Sequence, residues 1–476
     1  MLLAPAPAAH AESSSLSSTW YLAEGSTDWG FQTNIFVENP NDTSCKVRMT
    51  FMTPNGPVQK PDFVMTAMST VSVDPSTTLG EADFSTKVQC LTGQGIAVER
   101  TMAWPENSGD YFEGHSSIGV TAPSKTWYLA EGSSKWGFEC WILVQNPNKK
   151  QAHVQLTYMI EGAGPKVVDK IVPAKSRRSF FMADDIGSAD ASVRVSADVP
   201  VIPERAMYRN GRREGSGSIG TTAPASDYYL AEGTTDWGFT TYILVQNPNP
   251  QPTHVTVTYM TPEGPIRDNP FTMAANSRTT IAANDVHPGK DLSTHVHGSR
   301  PIIAERAMYW STETGEACHD SIGLSAPHTT FYLPDGESEP YDPDNAELGI
   351  ETWTLVQNPN GFPVKVQISY IDQDVSSTVS IPANTRKTFN MADHFSTAPT
   401  ASGIIVKSLT TGGKIMVEKS TYVLERTAGT DTIGAYSDED TAIPVATGNH
   451  ARSSSNSMKA STRVWNCARE NLSPSI

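Results

Sequence analysis

The sequence predicts an all-β chain built as a tandem array of four immunoglobulin-like β-sandwich domains, and three observations predict it. Tyr21-Leu22-Ala23-Glu24-Gly25 returns at 128–132 and 229–233 and, altered, as Tyr332-Leu333-Pro334-Asp335-Gly336, at intervals of 107, 101 and 103 residues. Such intervals match a folded domain, whereas solenoid repeats run to ~20–50 residues. Within each interval, short stretches alternate polar and apolar residues, the period of a half-buried strand. Turn signals separate them every ~8–12 residues, the rhythm of a sandwich.

The third repeat displays the elements in order. Tyr229-Leu230-Ala231 opens it, and Tyr242-Ile243-Leu244-Val245 is a β-prone run stopped at Asn247-Pro248-Asn249, where proline removes a ladder donor and asparagine suits a turn. His254-Val255-Thr256-Val257-Thr258-Tyr259 alternates, and its counterparts keep the parity: Val47, Met49 and Phe51; Val154, Leu156 and Tyr158; Val366, Ile368 and Tyr370. Pro262-Glu263-Gly264 marks the next turn. Strands at 277–281, 294–297 and 301–309, with the Ile322 segment, bring the total to about seven. A propeller with two blades per repeat is the alternative, at ~40–45 residues per blade. The landmarks do not recur at half the period, which disfavours it.

Two further landmarks keep their order. Glu99-Arg100 recurs as Glu204-Arg205, Glu305-Arg306 and Glu418-Lys419, and each copy closes on Ser117-Ile118-Gly119, Ser218-Ile219-Gly220, Ser321-Ile322-Gly323 or Thr432-Ile433-Gly434. The repeats therefore span 18–124, 125–225, 226–328 and 329–445; the divergent fourth is read as a possible cap. Residues 1–17 read as a residual signal peptide or leader, with Ala9-His10-Ala11 as the cleavage site. The Ser/Asn/Arg-rich tail, 446–476, reads as disordered or as a non-native reading frame.

The net charge of −16 argues against nucleic acid, which needs clustered Lys and Arg. No stretch approaches the ~20 apolar residues of a membrane span. Cys45 and Cys90 share the first repeat and are a possible disulfide across its sandwich. Gly215-Ser216-Gly217-Ser218-Ile219-Gly220 matches a dinucleotide fingerprint by letter, but no helix pattern follows it. No nucleophile elbow or P-loop is present, and His153 and His254 align with each other but with Lys46 and Lys365 in the other repeats, so no catalytic residue is expected.

The Glu-Arg pair sits mid-strand, so its two side chains face opposite ways and one must enter an apolar layer. A buried charge needs a partner. The opening glutamates are the obvious ones, giving structural ion pairs, within a repeat or between repeats, from Glu24, Glu131 and Glu232 to Arg100, Arg205 and Arg306. Aromatics carry the functional lead. Trp136 and Trp237 lie in Trp-Gly-Phe motifs, as does Trp29. Trp141, Tyr242 and Trp353 share one strand position, where repeat one has Asn34; an asparagine tolerated there suggests an accessible site for sugar rings, against sandwich core or repeat contact. His295 and His297 are candidates for zinc or copper. Asp342 and Asp344, in an acidic insertion expected as a solvated loop, are candidates for calcium.

These strings together resemble a repeat of exported proteins from actinobacteria and related bacteria, a domain of unknown function, over about 18–445. The resemblance implies export and a cell-envelope or matrix setting, and supplies no catalytic residue. The expected function is a secreted, non-enzymatic structural or adhesive array at the cell surface or in the matrix; the alternative is polysaccharide binding through the repeated aromatics. The expected partners are envelope or matrix polysaccharide or protein, with self-association possible.

Overall fold

The computed structural model describes residues 16–105, 112–312, 315–342 and 347–438. The tail and Asp344 lie outside the described residues. The fold is all-β, with helix confined to single turns.

Repeat two shows the unit. Its strands are β1 (Ser124–Leu129), β2 (Glu139–Asn146), β3 (Ala152–Ile160), β4 (Gly164–Val172), β5 (Ser176–Phe181), β6 (Ala191–Arg209) and β7 (Glu214–Ile219). β3 carries out the alternation read from sequence: Ala152, Val154, Leu156 and Tyr158 are buried, while His153 and Gln155 are exposed. One sheet runs β4-β3-β6-β1 and the other β5-β2-β6-β7, all antiparallel. β6, 19 residues long, belongs to both sheets. Its first half pairs with β1 and β3, and beyond Pro200 its second half pairs with β2 and β7. Proline lacks the ladder donor, so the strand changes sheets where it sits.

The Asn-Pro-Asn motif does more than turn the chain. Asn146 Nδ2 donates to the carbonyls of Lys150, Val172 and Pro173, and Asn148 Nδ2 reaches Pro200 at the bend of β6. Asn39/Asn41, Asn247/Asn249 and Asn358/Asn360 repeat the bracket. The opening glycines satisfy a close approach: a Cβ on Gly132 would lie 2.5 Å from the Ala191 carbonyl oxygen.

The four units close on themselves. The final strands of the repeats, Phe112–Ile118, Glu214–Ile219, Gly315–Ile322 and Ala428–Ile433, pack side by side in a cycle, the fourth against the first. The Ile118 amide donates to Thr432 Oγ1 across that last contact, at 2.9 Å. Repeat four, expected as a cap, therefore has a neighbour on either side. Most of the buried apolar residues form one core running through all four repeats, and smaller clusters, such as Phe31, Trp104 and Tyr208, sit between neighbouring repeats.

Three expectations fail on local grounds. Cys45 and Cys90 are buried free thiols on adjacent strands of one sheet, not a bridge across the sandwich. The acidic insertion is no solvated loop through Asp342: the opening strand extends over Thr330–Asp342 and buries Glu337 and Glu339. Asn34 is buried, with its amide on Ser72 Oγ at 3.0 Å, so it marks no accessible site.

Candidate functional site: the seams and grooves between repeats

Both members of every Glu-Arg or Glu-Lys pair are buried, because one face of the strand meets its own sandwich and the other meets the next repeat. The arginine partner is the glutamate of the following repeat. Arg100 Nη1 lies 2.9 Å from Glu204 Oε1 and donates to the Glu24 carbonyl at 3.2 Å, while the Glu24 carboxylate stays 3.9 Å from Nη2. Arg205 pairs with Glu305 at 2.9 Å and with Asp320; Arg306 pairs with Glu418 at 3.0 Å and Asp431 at 2.6 Å. Lys419 closes the cycle on Glu99 at 2.6 Å.

The opening motif is the other half of this lock. Glu305 accepts the Glu131 amide at 2.7 Å, and Glu418 accepts the Ala231 amide at 2.7 Å. One carboxylate thus ties an arginine and a backbone amide of the preceding repeat. Glu131 and Glu232, expected on Arg205 and Arg306, face Arg278 at 3.5 Å and Arg386 at 3.8 Å instead, again from the next repeat. Burial pushes Glu24, Glu131 and Glu232 each up to about 7, against the opposing pull of these arginines. His115 and His319 stand beside Arg100 and Arg306 at 3.4 and 3.1 Å, and burial holds both well below the ordinary histidine range.

Above these pairs the seams open into grooves. The Trp-Gly-Phe motif builds one wall: Trp136 and Gly137 both take left-handed backbone, φ 57° and 81°, which turns the indole outward. Trp237 and Gly238 do the same at φ 51° and 85°. A tryptophan at positive φ is unusual and points to a constrained role. The indoles of Trp136 and Trp237 remain 75% and 66% exposed.

Across the seam between repeats two and three, Trp136 and Tyr242 line one groove of about 730 Å³, with Phe138, Tyr309, Glu131 and Arg278. Tyr242 meets Tyr309 edge-on at 5.9 Å, and Arg209 lies over Phe138 at 4.7 Å. Between repeats three and four, Trp237 and Trp353 line a second groove of about 420 Å³ above Glu232 and Arg386. Trp353 Nε1 donates to Glu351, and Arg426 lies over the ring at 5.8 Å. Trp141, at the seam of repeats one and two, is half-buried against Phe181 at 4.7 Å, and Arg212 lies over Phe31 at 5.0 Å. The seam of repeats four and one has Leu348-Gly349-Ile350 and Asn34 at the aromatic positions.

Sequence reasoning thus found the aromatics but not their pairing across seams, nor Arg278, Arg386 and Tyr309 beside them. The signal available was repetition: Arg177, Arg278 and Arg386 recur at one position.

His295 Nε2 and His297 Nδ1 both bond the same Asp227 oxygen, at 2.8 and 2.9 Å. Among the described residues no three His, Cys, Asp or Glu side chains form a metal-holding group. No described helix is long and apolar enough to cross a membrane.

No protein-family model and no curated protein matches the chain. Among solved structures, it is similar to Thermotoga maritima 1070 at 17% identity over 21% of this chain and 95% of that one, with a TM-score of 0.19. It is also similar to a tetra-tandem repeat in the extending region of a large adhesion protein, at 11% identity over 85% of this chain and 95% of that one, with a TM-score of 0.10. Scores this low carry no inference about function.

Proposed function

We propose that the chain is a non-enzymatic adhesive protein, exported to the cell surface or matrix, whose four immunoglobulin-like sandwiches form a closed ring that holds polysaccharide in its inter-repeat grooves. One observation carries the reading: two exposed tryptophans, each fixed on left-handed backbone, face an aromatic ring of the next repeat above a buried carboxylate–guanidinium pair. Aromatic faces suit the apolar faces of pyranose rings, and charged hydrogen-bonding groups at the groove floor suit their hydroxyls. Carboxylates equal or outnumber cations in both grooves, which favours neutral over strongly acidic glycans. Two grooves on one rigid body add avidity along a polymer. A closed ring replaces the extended stalk that an open array would form.

The test is binding of the full chain to a panel of cell-wall and matrix polysaccharides, read by depletion and by tryptophan emission. Trp136→Ala with Trp237→Ala should weaken binding at least about tenfold, a loss of 1.4 kcal/mol. Melting should be unchanged, because both indoles are exposed. Unaltered binding by the double variant, or no saturable binding to any glycan, overturns the proposal.

A further inference from the structure

We propose that the seam between repeats four and one is a proton-operated latch, in which uncharged Glu38 lets the ring close and ionised Glu38 loosens that seam alone. The inference is independent of what the grooves bind. Position 38 is where the other repeats carry glutamine. In the strand register Glu38 lies opposite Thr70, as Gln145 lies opposite Arg177, Gln246 opposite Arg278 and Gln357 opposite Arg386. The glutamines use their amide donors across the seams. Gln145 and Gln357 donate to the carbonyls of Thr86 and Thr294 in the preceding repeat, each at 3.2 Å, and Gln246 reaches Met159 Sδ at 3.4 Å. A carboxylate has no such donor, and a protonated carboxyl restores one.

Glu38 is fully buried, and neither carboxyl oxygen has a hydrogen-bond partner. Repeat four presses directly on it: a Cβ on Gly403 would lie 3.3 Å from Glu38 Cδ and 3.2 Å from Ile371 Cδ1. The charged groups around it are mostly of its own sign. Asp372, on the turn after Ile371, accepts from the Thr70 amide and hydroxyl and from the Gly403 amide, at 3.0, 2.8 and 2.9 Å. Glu99, on the neighbouring strand, is held by Lys419. Asp335 lies 3.9 Å from Lys419 and takes the Thr101 hydroxyl, and Glu337 adds to the field at that lysine. Thr70 stands where the other seams place an arginine, so Lys419 is the one cation among these groups.

Burial, then Asp372 and Glu99, push the Glu38 carboxyl well above the ordinary glutamate range, with Lys419 opposing weakly. Glu99 is pushed up to about 7, chiefly by burial. Both groups are raised in the closed ring and return to an ordinary value when the seam opens to water. Closure is therefore strongest below the open-state value of ~4.3 and weakens as pH rises through the closed-state values.

The test measures amide hydrogen exchange in the full chain at pH 5 and pH 8, corrected for intrinsic rates. It compares wild type, Glu38→Gln and Gln145→Glu. In wild type, protection of 69–73 and 400–408 should fall between these pH values about tenfold for each unit by which a closed value exceeds 5. Protection of 176–181, at the seam of repeats one and two, should also fall, through Glu24 at about 7, but by less, because an amide-bearing Gln145 stands there in place of the carboxyl. Glu38→Gln should remove most of the fall at the closing seam, leaving only the share of Glu99, and Gln145→Glu should add a pH dependence to 176–181 and 85–90. A closing seam indifferent to pH in wild type, or as pH-sensitive in Glu38→Gln, overturns the latch. So does a Gln145→Glu chain whose seam gains no pH dependence.

Discussion

Replacing Arg205 with methionine tests whether the seams are held by compensated buried charge. Arg205 is fully buried between Glu305 at 2.9 Å and Asp320, both of the next repeat. Removing it leaves two buried carboxylates facing one another without their cation, a loss of about 3–5 kcal/mol at neutral pH. Asp320, which burial already raises, escapes part of this cost by taking up a proton, so the deficit should shrink at pH 5. The companion variant is Arg205→Met with Glu305→Gln and Asp320→Asn, which removes the charges together and should recover most of the stability, since a buried ionic cluster is often close to neutral against uncharged groups. The assay is urea unfolding followed by tryptophan emission and far-UV circular dichroism, with coincidence of the two probes checked because a multi-unit ring can unfold in steps. The reasoning is refuted if Arg205→Met costs less than about 1 kcal/mol, or if the triple variant is as unstable as the single.

Two other outcomes follow from the seams and brackets. Asn146→Ala should cost about 2–3 kcal/mol in unfolding free energy, because it orphans the buried Val172 carbonyl, the part-buried carbonyls of Lys150 and Pro173 and the Asn148 amide. Thermal stability of the wild-type ring should decline from pH 5 to pH 8. Glu24, Glu131 and Glu232 are raised to about 7, so their contribution is complete below the unfolded value of ~4.3 and lost as pH rises through about 7. Melting curves across that range check it, and a midpoint that rises steadily with pH contradicts the burial argument.

Much of the unit was legible because its signals are local. The parity of Val154, Leu156 and Tyr158 assigns a buried strand face, since successive side chains must point to opposite sides. The Asn-Pro-Asn motif predicts a turn from backbone chemistry alone, though not that Asn148 reaches Pro200 on a strand some fifty residues away. The mid-strand Glu-Arg pair required a buried charge, and that was correct in kind. The partner was only partly assigned: Arg100 keeps a 3.9 Å ion pair to Glu24 of its own repeat, but its closer carboxylate, Glu204 at 2.9 Å, comes from the next repeat, which the strand's free face meets. The aromatics were found, but Trp136 and Tyr242 lie on different repeats, and nothing local says that their repeats touch.

The sequence by itself determined four all-β units, their strand order along the chain, their turns and the residues that repeat. Those follow from side-chain periodicity and backbone preference, which act over a few residues. Tertiary structure alone decided that the array closes into a ring and that glutamates reach the preceding repeat's arginines. It also decided that paired indoles and tyrosines make grooves, and that Glu38 is sealed where a glutamine would fit. Each of these depends on two segments a hundred or more residues apart meeting in a particular register, and no local pattern encodes that meeting.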